Sequence, residues 1–151
     1  ETGDTWTFEI RFQVSSVAAS TGFTRFGLLP ATLVTASVPA TPSTTLASGV
    51  FIEQTAAATT MSGYSKSTGT SGGTAIPSTT TAGSFEIWTI SYNGAGTVTF
   101  SKKGVSFGTV AVAANIPSAV ALCPGINIVT GTVARNVIID YIGYTQSTAS
   151  R

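Results

Sequence analysis

The stretch WTFEIRFQV, Trp6 to Val14, constrains this chain more than any other. Trp6, Phe8, Ile10, Phe12 and Val14 alternate without a break with Thr7, Glu9, Arg11 and Gln13. A strict period of two puts all the large apolar side chains on one face of an extended strand and all the polar ones on the other. Such a strand is half-buried, so a second layer must cover its apolar face. Glu9 and Arg11 share the wet face and read as exposed sheet charges.

The rest of the chain repeats the theme in shorter pieces. FTRFGLLPA and GVFIEQTA are short strands, the second bounded by Gly49. FEIWTISYNGAGTVTFSKKGVSFGTVAVA is the most ordered run, with Trp88, Ile90 and Tyr92 on one face. Asn93-Gly94-Ala95-Gly96 supplies the positive-φ residues of a hairpin turn, TVTF returns as the partner, and Lys102-Lys103-Gly104 makes the next turn. ALCPGINIVTGT and NVIIDYIGYT close the series, joined by TGTVAR. SSVAASTG reads as a loop, and VTASVPATPSTTLAS as an irregular connection or weak edge strand. The Gly, Ser and Thr density of residues 61–84 predicts a long surface excursion, with a hairpin with a mobile tip as one form of it, and an interaction surface around Tyr64. No segment longer than about ten residues carries apolar residues at helical spacing, and no fixed-period repeat is evident. Around ten short strands with turns at regular spacing predict an all-β, antiparallel β-sandwich as a single domain over residues 1–151. The start, ETGDTW, has no initiator Met or signal peptide, as expected of a mature fragment or of a domain from something longer.

Composition narrows the function classes. Only 9 % of residues are charged and the net charge is +1, with Lys102 and Lys103 the only adjacent basic pair. That is no electrostatic footprint for nucleic acid. The hydrophobic fraction is 42 %, but no run approaches the ~18 apolar residues of a spanning helix. Low charge also reduces repulsion between copies, which suits a surface that packs against other subunits. The chain has no His and one Cys. This excludes Ser-His-Asp and Cys-His catalysis as well as an internal disulfide. Cys123, in the apolar AVALCPG, reads as a small buried hydrophobe.

The order of these strands resembles the concanavalin A-like lectin/glucanase jelly roll, including laminin G-like domains and related modules of bacteriophage tail and virion proteins. The likeness is carried by WTFEIRFQV, GVFIEQ, the FEIWTISYNG…TVTFSKKGV hairpin and the closing GINI…VIIDYIGY. It implies two curved antiparallel sheets face to face, with the first and last strands as neighbours. In the last strand, simple alternation puts Val137, Ile139 and Tyr141 on one face and Ile138, Asp140, Ile142 and Tyr144 on the other.

Glycosidases of this fold gather acids on one strand in an E-x-D-x-x-E-like cluster. Here the six acidic residues are Glu1, Asp4, Glu9, Glu53, Glu86 and Asp140, with no two at i, i+2. Two carboxyls about 5–5.5 Å apart, as retaining chemistry needs, are not indicated, and the expectation is a protein that is not an enzyme. Lectin-type calcium sites need several clustered oxygens. No cofactor is expected, and a structural Ca²⁺ held by Asp140 and backbone carbonyls is the one metal option retained. Otherwise Asp140 is expected to take hydrogen bonds from a loop or to pair with Arg135 or another basic residue. Tyr64, Glu86, Trp88 and Tyr144 are the candidate carbohydrate contacts, with Trp88 and Glu86 lining a concave sheet. Trp6 is expected to be a core anchor. The resulting expectation is a structural or receptor-binding domain of a virion, of phage type, that meets other virion or self subunits as a homo-oligomer, or a host-surface glycan. The alternative is a free carbohydrate-binding module of a secreted or surface protein.

Overall fold

The computed structural model describes residues 3–15, 23–31, 46, 48–54, 60–67, 76–111, 113–117, 121–129 and 136–148. Ten strands run in chain order: β1 (Thr5–Val14), β2 (Phe23–Pro30), β3 (Gly49–Gln54), β4 (Thr60–Lys66), β5 (Ile76–Thr79), β6 (Glu86–Tyr92), β7 (Val98–Lys102), β8 (Val105–Val110), β9 (Leu122–Val129) and β10 (Val137–Ser147). A 3-10 turn covers Ala113–Asn115. Sheet A has the order β10-β1-β6-β7-β8 and sheet B the order β5-β4-β3-β2-β9. Every pairing is antiparallel. The two sheets stack with β1 over β2 and β8 over β5, which leaves β10 and β9 together along the opposite side.

The alternation in β1 is realised in full. Phe8, Ile10, Phe12 and Val14 are buried, and they meet Phe26, Leu28, Val50, Ile52 and Met61 of sheet B. Trp88, Ile90, Val98, Phe100 and Val110 complete the layer from sheet A. Each such side chain contributes roughly 1.5–3 kcal/mol by leaving water. Phe26 is the centre of this core, with its ring 4.9 Å from Phe12 and 6.4 Å from Trp88, both edge-on. Trp6 is half-buried on the margin of the core, stacked on Tyr92 at 6.0 Å.

The β6–β7 hairpin turns as its sequence requires. Gly94 and Gly96 take φ of 75° and 93°. The Asn93 Oδ1 accepts from the backbone N–H of Ala95 and Thr97, each at 2.9 Å. These bonds satisfy amides that the tight turn would otherwise strand.

Residues 61–84 take the hairpin form of the expected excursion: β4 occupies the first part and β5 lies within it, paired antiparallel from Thr60↔Thr79 to Gly63↔Ile76. Residues 68–75, which include the Gly-rich stretch, lie outside the described residues. The strand is concealed because its inner face is Met61, Gly63 and Ser65, all buried. A Cβ on Gly63 would lie 2.7 Å from the Phe100 ring, so the glycine is the socket for an aromatic from the opposite sheet. β8 also ends at Val110, short of the AVA that follows.

One expectation is corrected in β10. Its register on β1 slips between Arg11 and Phe12, with Arg11 opposite Tyr141 and Phe12 opposite Ile139. Asp140 is the extra residue of this bulge, and the bulge resets which face each later residue occupies. Val137, Ile139, Ile142 and Tyr144 therefore oppose the inward-facing Val14, Phe12, Ile10 and Phe8. Asp140 and Tyr141 both turn outward, toward Arg11 and Glu9. Simple alternation breaks at that one residue.

Candidate functional site

The outer faces of the two sheets carry different chemistry. On sheet B the register aligns Asn127, Arg25, Glu53 and Ser62 in one row across four strands. The Arg25 Nε donates to Glu53 Oε2 at 2.7 Å, and Nη2 donates to the same oxygen. Both side chains are sealed, at 2 % and 0 % exposure. The guanidinium lies 4.6 Å from the Phe23 ring and 5.0 Å from the Phe51 ring, the stacking that a weakly hydrated planar cation favours. Burial pulls the Arg25 pKa below its usual value, while Glu53 opposes the shift. Lys66, on the same face, is also lowered by burial, again against the pull of Glu53. Tyr64 stacks on Phe51 at 5.3 Å, and Leu29 and Leu46 pack alongside. Cys123 is half-buried and free, with its thiol 3.6 Å from the Leu29 carbonyl oxygen.

The outer face of sheet A is open. Tyr141 donates from its hydroxyl to Glu9 Oε1 at 2.6 Å. Thr89 of β6, directly opposite Glu9 in the register, donates to Glu9 Oε2 at 3.1 Å. Arg11 donates to Asp140 and its guanidinium lies 4.9 Å from the Phe85 ring. Arg11 and Asp140 are 41 % and 43 % exposed, and Phe85 and Tyr141 present 39 % and 38 % of their surfaces. The phenol of Tyr141 titrates above its usual value, first because it donates to Glu9 and then through desolvation. The result is a flat array of guanidinium, two carboxylates, two hydroxyls and an exposed ring, held in fixed relative positions by its own hydrogen bonds.

Asp140 is thus neither buried nor paired within its own strand; its partner is Arg11 of β1, and Arg135 lies outside the described residues. Glu86 and Trp88 do share a face, but it is the interior one. Trp88 is fully buried. Glu86 takes Lys102 Nζ at 2.7 Å and the Thr80 hydroxyl at 2.7 Å, while Lys102 lies 5.0 Å from the Trp88 ring. Tyr144 lies on the inward side of β10, where it is 39 % exposed and donates to Gln146 Oε1 at 3.1 Å; burial raises its pKa. The four residues singled out from sequence occupy three separate places. The array on sheet A was missed because its members come from β1, β10, β6 and the turn before β6, and the bulge that joins them leaves no local pattern. The signal available was the wet face of WTFEIRFQV itself. Among the described residues, no group of three His, Cys, Asp or Glu side chains converges as a metal site, and no helix is long and apolar enough to cross a membrane.

No family model matches the chain and no curated protein sequence matches it. Solved structures do. The endo-1,3-beta-glucanase of Streptomyces sioyaensis superposes with a TM-score of 0.64 at 17 % identity, covering 98 % of this chain and 66 % of the glucanase. The binding domain of botulinum neurotoxin DC, solved with rat synaptotagmin II, gives 0.63 at 10 % identity, covering 94 % of this chain and 32 % of the toxin chain. The carbohydrate esterase of the Shiga toxin-encoding bacteriophage phi24B gives 0.56 at 16 % identity, with 98 % and 70 % covered. The chain therefore has the concanavalin A-like two-sheet sandwich fold, and it spans about two thirds of the glucanase and one third of the toxin domain. At these identities the likeness is one of fold.

Proposed function

We propose that the chain is a non-enzymatic binding module that takes a surface glycan, carried on a virion of phage type. The exposed array of Phe85, Arg11, Asp140, Tyr141 and Glu9 carries this reading. A sugar offers a ring with apolar C–H faces and an equatorial fringe of hydroxyls. Its recognition calls for an aromatic surface beside a few fixed donors and acceptors. Arg11 retains N–H donors beyond those used on Asp140, and both carboxylates retain acceptor lone pairs. Because the groups already hold one another, little side-chain entropy remains to be lost on binding.

The non-enzymatic part rests on how the acids are used. Glu53 is locked to Arg25, Glu86 to Lys102 and Thr80, Asp140 to Arg11, and Glu9 to Tyr141 and Thr89. General acid–base work needs a carboxyl poised to exchange a proton with substrate. The virion and extracellular setting draws support from the phage esterase likeness and from a surface with few charges. Ligand recognition has a parallel in botulinum neurotoxin type C, which shares the fold over 32 % of its chain and whose cell entry depends upon interaction with two ganglioside molecules. A free carbohydrate-binding module is the alternative setting for the same array.

The test is a glycan array on the wild-type chain, followed by titration calorimetry on any hit. Tyr141→Ala and Phe85→Ala are expected to weaken binding at least about tenfold each, the loss of one well-packed aromatic contact. Tyr64→Ala tests the alternative placement on sheet B. Hydrolysis of the bound glycan by the wild type would overturn the non-enzymatic reading.

A further inference from the structure

The side of the sandwich formed by β9 and β10 is unfinished. Ile139, Ile142 and Tyr144 face inward by register, yet they are 41 %, 49 % and 39 % exposed. Ile128 of β9, opposite the buried Thr24, is 41 % exposed. These four come from the inner faces of both sheets, and among the described residues the core stops there without a cover. Ile138 extends the apolar surface around the edge at 53 % exposure. β10 is also the longest strand, at 11 residues. It lacks the Lys or Pro with which proteins commonly blunt an edge. Its bulge lies near its start, so Tyr141–Ser147 pairs with β1 in unbroken register and offers a regular outer edge.

We propose that this edge is the interface between two copies of the chain, β10 against β10 in antiparallel pairing. A two-fold axis perpendicular to the sheets brings β10 to its own copy and β9 to its own copy in the layer beneath, so one operation caps both open ends of the core. The charge distribution permits it: Asp140 is the only charged side chain on β10 and is neutralised by Arg11 of its own copy, so no unpaired like charges meet. The size also fits. A strand of 11 residues is roughly 37 Å long, and two layers ~10 Å apart give a face about 20 Å deep. The product is on the order of 700 Å² per copy, close to the ~800 Å² per partner of a stable interface. The same axis leaves both sheet A outer faces on one side, so that two glycan arrays face the same surface and can bind it together. The proposal shares with the virion reading only the expectation of self-association.

Sedimentation equilibrium on the full chain tests it. The wild type should have twice the 15.3 kDa chain mass at micromolar concentration. Ile142→Lys should raise the dimer dissociation constant at least about 30-fold, the effect of losing a central interface residue. Val105→Lys, at a 71 % exposed site on the opposite side, should leave the dissociation constant unchanged. Circular dichroism checks the fold of each variant, and Tyr144→Lys replaces Ile142→Lys if the latter does not fold. A wild type that stays monomeric to ~100 µM, where even weak specific interfaces register, would overturn the proposal and assign the edge to a different occupant. So would a dimer indifferent to both substitutions. In either case glycan binding, read on the same samples, is judged separately.

Discussion

Two arginine–carboxylate pairs link neighbouring strands across the outer faces of this sandwich, and they do different work. Arg25–Glu53 on sheet B and Arg11–Asp140 on sheet A have the same chemistry. The first is sealed between Phe23 and Phe51. The second lies in solvent beside Phe85. Removing two charges from water costs several kcal/mol per ion, so the sealed pair is tolerated only because each charge answers the other. The exposed pair pays little desolvation and contributes little stability. What it retains is unused hydrogen-bonding capacity facing outward. Burial thus separates the outer face that holds the fold from the one available to a ligand.

The sharpest way to break the comparison is to remove one carboxylate from the sealed pair. Glu53→Ala leaves the Arg25 guanidinium buried without a counter-charge, and a loss of about 3–5 kcal/mol is expected in urea unfolding. A loss below about 1 kcal/mol, the level of a surface pair, would mean that the pair is hydrated in solution. The matching double variant, Arg25→Met with Glu53→Leu, removes both charges and keeps the volume. It should recover most of the loss and come within about 1 kcal/mol of wild type or above it. A double variant as unstable as Glu53→Ala alone would show that the stacked guanidinium, and not charge balance, holds the face.

The sandwich was legible in the sequence because its first strand alternates without error and its hairpin turn is spelled out by Asn93-Gly94-Ala95-Gly96. β4 was legible only as an arm of a hairpin without bounds, since Gly63 and Ser65 look like loop residues until Phe100 is seen filling the space above Gly63. The sealed pair was visible only as two separate charges, Arg25 amid FTRF and Glu53 amid GVFIEQ. Opposite charges in successive apolar strands are a usable signal, but register decides whether they meet. The array on sheet A depends on a one-residue bulge at Asp140. A bulge is a property of two strands together, and the alternation of β10 alone contains no mark of it. That is why Tyr141 was assigned to the wrong face and left out of the candidates.

On the exposed side the comparison predicts a divorce between stability and binding. Asp140→Asn should cost no more than about 1 kcal/mol, while releasing Arg11 to change its angle over Phe85. Chemical denaturation and the glycan titration on one preparation read both quantities. Unchanged stability with binding weakened several-fold is the expected result. A stability loss equal to that of Glu53→Ala would erase the distinction between the two faces.

The smallest effect is the most specific. Tyr141 and Tyr144 both titrate above the ordinary 10.0, Tyr141 chiefly through its hydrogen bond to Glu9 and Tyr144 through burial. A phenol whose pKa is raised in the folded state adds stability that is fully present below pH 10 and is lost as the pH rises through the folded pKa. The Tyr141–Glu9 contact should therefore hold the first and last strands together at neutral pH and weaken only in alkali, where phenolate and carboxylate repel. Glu9→Gln removes the repulsion, so the Tyr141 phenolate should appear at lower pH while Tyr144 keeps its raised value. Phenolate absorbance followed in the wild type and in Glu9→Gln, with Tyr141→Phe to assign the signal, separates the two causes. Superimposable curves for wild type and Glu9→Gln would mean that Tyr141 does not donate to Glu9 in solution, and the array on sheet A would lose its central contact.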